Sequence, residues 1–167
     1  MICNTNESKA LEQEHVDTLI SQRVSGILFL SGNLHELPDG IAAVYVDRHP
    51  EGFVSGKYDL VESDNRNGGY LAAQKLIRKG CRNIAVLYIR DTDLNHMERV
   101  EGCRQALQEH VLPVRMISVD QSSPSVATSM VEDSIEKDGL FDGLVCTNDV
   151  LAVGALEALL DRGIQVP

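Results

Sequence analysis

The sequence predicts an α/β protein built on parallel sheets, and three observations predict it. Short apolar runs alternate with segments of helical period along the chain. The runs are continuously apolar, as strands covered on both faces require. From residue 84 onward strand and helix recur about every thirty residues, the rhythm of βαβ units wound one way around a sheet.

The strand candidates are ILFL at 27–30, AAVYV at 42–46, IAVLY at 84–88, MISV at 116–119 and GLVC at 143–146. Between them the spacing predicts helices over 8–22, 66–79, 97–110, 125–137 and 150–162. In the second helix Gly69, Ala72, Ala73, Leu76 and Ile77 recur at i, i+3, i+4, and Gly80 stands where a left-handed stop belongs. Asp64 or Asn65 can cap its start by accepting from free N–H groups. Ser122, Ser123 and Pro124 open the next-to-last helix, proline being tolerated where no N–H is needed. The stretch PEGFVSGKYDLVESD breaks the rhythm with glycine and charge, and is read as a crossover between two lobes with strand character near 58–61. The last helix is apolar nearly all round, which predicts burial within its own domain, with association between copies as the alternative.

At 167 residues and 43% hydrophobic content, the chain can bury the core of one domain or two small lobes. Its formal net charge of -10, with lysine and arginine scattered, repels phosphate backbones and anionic headgroups, so this chain alone is not expected to bind DNA or membranes. Cys3, Cys81, Cys103 and Cys146 form no CxxC or Cys/His cluster and are expected to be buried reduced thiols. The histidines are equally dispersed, and no metal site is expected. No run approaches the roughly eighteen residues of a membrane span, and Met1 heads no signal-peptide pattern, so a cytoplasmic protein is expected. There is no GxGxxG after a strand, no GxxxxGK[ST], no GxSxG and no HExxH, so neither catalysis nor a cofactor is expected.

The polar residues collect at strand ends. In open α/β sheets ligands sit outside the carboxyl ends of strands, where loops meet helix N-termini. In DGLVCTNDVLAVGALEALL, Thr147, Asn148 and Asp149 occupy such an end. Asp149 is placed to cap the last helix, whereas the amide of Asn148 can contact a ligand hydroxyl; the plain alternative is that all three only cap. Asp47 and Arg48 follow AAVYV, and Asp93, Asn95 and Arg99 lie between a strand and a helix body. Arg99 would fall in a first helical turn, a poor place for a cation unless an acceptor is near. A surface pair with Glu98 or Glu101 is its plain alternative.

VYVDR at 44–48, the DN..GGYLAAQKLI..G block from Asp64, R..G at Arg99 and Gly102, and FDGLVCTNDVLAVGALEALLDRGIQVP occur in one order and spacing. With them the chain resembles the effector-binding core of lactose-repressor/galactose-repressor (LacI/GalR) transcription regulators over nearly its whole length. The resemblance implies a periplasmic-binding-protein-like architecture, with two Rossmann-like, doubly wound parallel-sheet lobes hinged around a sugar or related metabolite. It implies a homodimer and a separate helix-turn-helix headpiece that reads operator DNA. By the same resemblance Asp47 touches the effector and Arg48 lies near the same cleft. Arg99 grips a hydroxyl or carboxylate, Asp93 and Asn95 sit on the loop lining the pocket, Gln121 lays a flat side chain against the ligand, and Asn148 binds a hydroxyl. Asp47, Arg99 and Asn148 are thus expected to converge on one cleft.

The chain departs from the family pattern at Gly80-Cys81, where a GH is usual, and in lacking the headpiece. MICNTNESKALEQEHVDTLI resembles the second strand and second helix of the N-terminal lobe, and the chain stops at Val166-Pro167 where another strand would follow. A fragment with both lobes incomplete is therefore expected: 1–62 part of the N-terminal lobe, without the strand at the centre of its sheet, and 63–167 most of the C-terminal lobe, with the better packing and a contiguous three-stranded 2-1-3 sheet. The alternative function is the periplasmic sugar-binding protein of an ABC transporter. That role would want a secretion signal and more aromatic stacking than 4% aromatics and no tryptophan supply.

Overall fold

Parallel pairing is the rule in both sheets of the protein. The computed structural model describes residues 1–6, 8–50, 52–54, 56–90 and 94–166, and the chain divides into two compact units, Met1–Ser63 and Asp64–Pro167.

In the first unit Ser8 caps α1 (Lys9–Ser21), its Oγ accepting from the Leu11 N–H at 3.3 Å. The strands β1 (Gly26–Phe29), β2 (Ala42–Val46) and β3 (Asp59–Val61) follow in spatial order β1-β2-β3, with Phe29 opposite Tyr45 and Val46 opposite Val61. Val16 from α1 packs with Ile27, Phe29, Ala43, Tyr45 and Tyr58. The Phe29 and Tyr45 rings stack at 4.8 Å, and Tyr58 meets Tyr45 edge-on at 5.8 Å.

Two expectations fail in this unit. Coverage of both strand faces does not hold for β1, where Ile27 and Phe29 are buried but Leu28 is 67% exposed, because the one helix of the unit leaves the second face bare. The stretch MICNTN forms no strand: its backbone finds no ladder partner, and a lone extended segment is not stable.

In the second unit Asp64 caps α2 (Asn65–Arg78), accepting from the Asn67 N–H at 2.9 Å. The helix ends as the sequence predicts. Gly80 adopts φ +97°, its N–H bonds Ile77 O at 3.0 Å and the Cys81 N–H bonds Leu76 O at 3.1 Å, the paired hydrogen bonds of a Schellman stop. Then come β4 (Ile84–Ile89), α3 (Leu94–Glu109), β5 (Arg115–Val119), α4 (Pro124–Asp138), β6 (Gly143–Cys146) and α5 (Asp149–Asp161). The sheet order β5-β4-β6 is the expected 2-1-3 arrangement. Here both faces are covered. Ile84, Val86 and Val145 pack against Ala73, Ile77, Cys103, Ala106 and Leu107 of α2 and α3. Ala85, Leu87, Ile89, Ile117 and Val119 pack against Ala127, Val131, Leu151, Ala155 and Leu159 of α4 and α5.

Full burial of α5 is not observed. Leu151, Gly154, Ala155, Ala158 and Leu159 face the core, but Val150, Val153, Leu156 and Leu160 are exposed along the opposite side, since the sheet and α4 reach only one face. The cysteines are free, but only Cys103 is fully buried; Cys3, Cys81 and Cys146 are half-buried. Burial pushes the thiols of Cys103 and Cys146 up to about 11 and about 12, so both stay protonated and unreactive near neutral pH.

Two glycines let α2 and α3 touch backbone to backbone. A Cβ at Gly69 would fall 1.9 Å from Arg99 O, and one at Gly102 would fall 1.8 Å from Arg66 O. Neither neighbour can yield, because each is main chain. Gly102→Ala should therefore destabilise the protein by at least about 2 kcal/mol, measured as a lowered urea midpoint with unchanged slope.

Candidate functional site

The carboxyl ends of β4, β5 and β6 lie at one edge of the second unit, where α3, α4 and α5 begin, so residues far apart in sequence meet there. Arg99 is the centre of this edge. Its Nε donates to Asn65 Oδ1 at 2.8 Å and its Nη1 to Thr147 O at 2.8 Å, so the guanidinium bridges the start of α2 and the end of β6. Both acceptors are uncharged. Among the described residues Arg99 makes no ion pair, and the expected alternative pair is absent: Glu101 pairs with Arg104 at 3.8 Å. A guanidinium has five N–H donors, and only two are committed here, on a half-buried side chain.

Arg99 stands in the second turn of α3 rather than the first, because the helix starts at Leu94. The start was missed because its first turn carries Asn95, buried at 4% exposure and yet polar, which interrupts the apolar period. Asn95 is thus on the helix, not on a loop. Next to it, His96 Nδ1 lies 3.3 Å from Thr147 Oγ1. Thr147 is itself buried, its N–H held by Leu87 O at 3.0 Å.

The helix cap is Asn148, not Asp149. Asn148 is extended, at φ -151° and ψ 170°, and its Oδ1 accepts from the Leu151 N–H at 2.8 Å. Its Nδ2 donates to Ser122 Oγ at 3.1 Å. Asp149 becomes the first helical residue, where its charge suits the helix dipole. The cap and a ligand contact therefore draw on one amide: the carbonyl is committed, and Nδ2 keeps a second hydrogen. Gln121 is exposed at the end of β5, its carbonyl accepting from the Ser123 N–H at 3.1 Å. Asp93 lies outside the described residues.

In the first unit Asp47 and Arg48 follow β2 and are exposed. Asp47 has φ +59°, a left-handed conformation uncommon for a side-chain-bearing residue, and its N–H donates to Val61 O at 2.9 Å. The loop after β1 runs beside it, since a methyl group at Gly32 would sit 4.0 Å from Arg48 Cδ.

The structure thus brings Arg99, Asn95, Asn148 and, as expected from its strand-end position, Thr147 to one edge and adds Asn65, His96 and Ser122, which the sequence reading had not assigned to it. Asn65 carried a signal in the Asp64-Asn65 pair: Asp64 serves as the cap, and the amide oxygen of Asn65 accepts from Arg99 instead.

Comparison with known proteins identifies the family and the fold. A family model described as a periplasmic binding protein-like domain matches residues 73–167. The HTH-type transcriptional repressor PurR of Actinobacillus pleuropneumoniae serotype 5b (strain L20) is 31% identical over 174 residues, covering 99% of this chain and 51% of that protein. The HTH-type transcriptional regulator DegA of Bacillus subtilis (strain 168) is 29% identical over 179 residues, covering 100% of this chain and 52% of that protein. The chain spans about half the length of the curated relatives it matches. Among solved structures, a periplasmic binding protein/LacI transcriptional regulator from Alkaliphilus metalliredigens QYMF, complexed with D-xylulofuranose, superposes with a TM-score of 0.76 at 25% identity, covering 100% of this chain and 62% of that one. The chain belongs to the periplasmic binding protein-like domain family, in the form shared by LacI/GalR-type transcription regulators.

Proposed function

We propose that this chain is the effector-sensing core of a LacI/GalR-type transcription regulator, a repressor that binds a sugar or related small metabolite without turning it over. Operator DNA is read by a separate helix-turn-helix headpiece, and the protein works in the cytoplasm. The unit Met1–Ser63 is part of the N-terminal lobe and the unit Asp64–Pro167 most of the C-terminal lobe, one residue from the expected division into 1–62 and 63–167. The observation that carries the reading is Arg99: a guanidinium fixed at the strand-end edge by two uncharged acceptors, with donors to spare for a hydroxyl, carboxylate or phosphate. In the second unit Arg99, Asn148, Asn95, Gln121 and Asp93 contact the effector; in the first, Asp47 and Arg48 do.

The relatives favour a regulator over a transporter's sugar receptor, because PurR of Actinobacillus pleuropneumoniae and DegA of Bacillus subtilis are both HTH-type transcriptional regulators. The D-xylulofuranose held by the Alkaliphilus protein supports a sugar-like effector. Among the described residues no helix is long and apolar enough to cross a membrane.

Self-association fits α5. Val150, Val153, Leu156 and Leu160 recur at i, i+3 and i+4 spacing and stay exposed, an apolar stripe of the kind that seals helix-to-helix contacts between copies. We assign it to a homodimer.

Calorimetry with a panel of pentoses, hexoses, their phosphates and purines should find one binding class. Arg99→Ala should weaken that binding at least about tenfold, the cost of a charge-assisted hydrogen bond. Asn148→Ala should also cost about 1 kcal/mol of stability through the lost cap, whereas Asn148→Asp keeps the cap and isolates the ligand contact. Unchanged affinity in Arg99→Ala and Asn148→Asp removes the site assignment. For the dimer, Leu156→Glu should give a monomer by sedimentation where the unaltered protein is a dimer.

A further inference from the structure

We propose that the solvent face of α2 is a docking surface for an acidic amphipathic helix of a partner protein. The cations scattered through the sequence as a whole are segregated here: between Asp64 and Asp91 there is no aspartate or glutamate, while Arg66, Lys75, Arg78, Lys79, Arg82 and Arg90 all fall in that stretch. On α2 the pattern is helical. Gly68, Leu71, Ala72, Lys75, Arg78 and Lys79 recur at i, i+3, i+4 spacing, and every one of them is exposed. They form one face about 16 Å long, small and apolar over its first half and cationic over its second. Leu71 is 52% exposed, and a Cβ at Gly68 would meet nothing within 4 Å, so the face is open.

The charge on this face is uncompensated. Elsewhere Arg90 pairs with Asp120 at 3.4 Å, Arg104 with Glu101 at 3.8 Å and Arg162 with Glu136 at 2.7 Å. Among the described residues Lys75, Arg78 and Lys79 make no such pair. Carboxylates at the rim are committed to other groups. Asp142 accepts from the main-chain N–H groups of Arg82 and Asn83, both at 2.8 Å, and Glu109 accepts from Tyr70 Oη at 2.7 Å and Gln105 Nε2 at 2.9 Å. Arg82 extends the patch past the helix end, its Nη1 donating to Ile77 O at 3.0 Å and Cys81 O at 2.8 Å, so neutral acceptors hold it. The helix dipole accounts for cations in the last turn. It does not account for a bare leucine one turn earlier, or for the absence of any acid from the face.

The two halves of the face together select its occupant. Carboxylates on a partner helix match Lys75, Arg78 and Lys79, and an apolar residue one turn along covers Leu71, with Gly68 and Ala72 leaving room for the two helices to approach. A nucleic acid gains nothing from Leu71, and its phosphates continue beyond the face into the field of a chain of net charge -10. A short acidic helix ends where the patch ends. A second copy of this chain is disfavoured by symmetry, because a basic face meeting an acidic one elsewhere on the molecule is a heterologous contact that leaves both free faces open to further copies.

The probe is a fluorescein-labelled helical peptide of about eighteen residues, long enough to cover the face, with glutamates at i, i+3 and i+4 and one leucine on the same side. Fluorescence anisotropy with the full chain should show micromolar binding in ~20 mM salt, weakened at least about threefold in ~150 mM salt. Amide shifts in NMR should place the peptide on α2. Lys75→Gln/Arg78→Gln/Lys79→Gln should weaken binding at least about tenfold and Leu71→Gln about threefold, each with a nearly unchanged urea midpoint, since all four positions are exposed. The same peptide with glutamine for glutamate, and a DNA duplex of equal charge, should each bind at least about tenfold more weakly than the acidic peptide. No binding of the acidic peptide, or binding unaltered by the triple substitution or by Leu71→Gln, overturns the proposal. So does a duplex that binds as well, which would assign the face to nucleic acid, or a salt-sensitive self-association abolished by the triple substitution, which would assign it to a second copy.

Discussion

The contact between α2 and α3 is the constraint on which the rest of the second unit depends. Helix axes ordinarily stand about 8 to 10 Å apart because side chains separate them. Here Gly69 and Gly102 remove those side chains where the helices cross, and the carbonyls of Arg66 and Arg99 occupy the space a Cβ would need. The same approach seats the Arg99 residue against α2, so its guanidinium reaches Asn65 Oδ1 at 2.8 Å without leaving Thr147. Packing and the aim of the guanidinium are thus one feature: a wider crossing would carry Arg99 away from both acceptors that aim it. Gly154 does the same for α4 and α5, its Cβ position lying 2.1 Å from Pro124 O, next to the Ser122 that holds Asn148.

Much of this was legible in the sequence because the signals are local. Continuous apolar runs located the strands, and Asp64 and Gly80 marked the ends of α2 by chemistry that acts within four residues. The errors have equally local causes. Asn148 and Asp149 are both good caps, and the structure uses the first, whose Oδ1 accepts from the Leu151 N–H while its Nδ2 donates to Ser122 Oγ, a contact 26 positions away that no local rule reads. Asn95 disguised the first turn of α3, since a buried amide at a helix start looks like a loop residue to any rule based on apolar spacing. The bare side of α5 and the exposed Leu28 face show the reverse failure, in which apolar character is read as burial although no neighbouring element covers it.

The polar cluster around Glu12 was not legible at all. Its partners Ser31, Asn33 and His35, in the loop after β1, lie 19 to 23 positions away, each of an ordinary residue type, and neither α1 nor the loop bears a motif. Only the fold tells that the glutamate points inward beneath β1. Once there it must be satisfied, because an unpaired buried carboxylate is far costlier than the ordering of a short loop. That asymmetry explains why three loop side chains converge on it, and why the two tyrosines of the core spend their hydroxyls on the backbone of His35.

Charge raises a last question about the site, since a chain of net charge -10 would repel an anionic ligand from a distance. Screening settles it: at physiological ionic strength the field of dispersed surface charges decays within about 8 Å, whereas a donor at hydrogen-bond distance acts unscreened. Arg99 is half-buried and already oriented by neutral acceptors, so in the proposed role it would meet a ligand oxygen with its full charge and little loss of side-chain freedom. Had a carboxylate held it instead, the guanidinium would be equally fixed but electrically compensated, and a ligand would have to compete with that carboxylate. Neutral anchoring at Asn65 and Thr147 is what leaves the cation uncompensated, and for the proposed effector it would place selectivity in the contact geometry rather than in the field of the molecule.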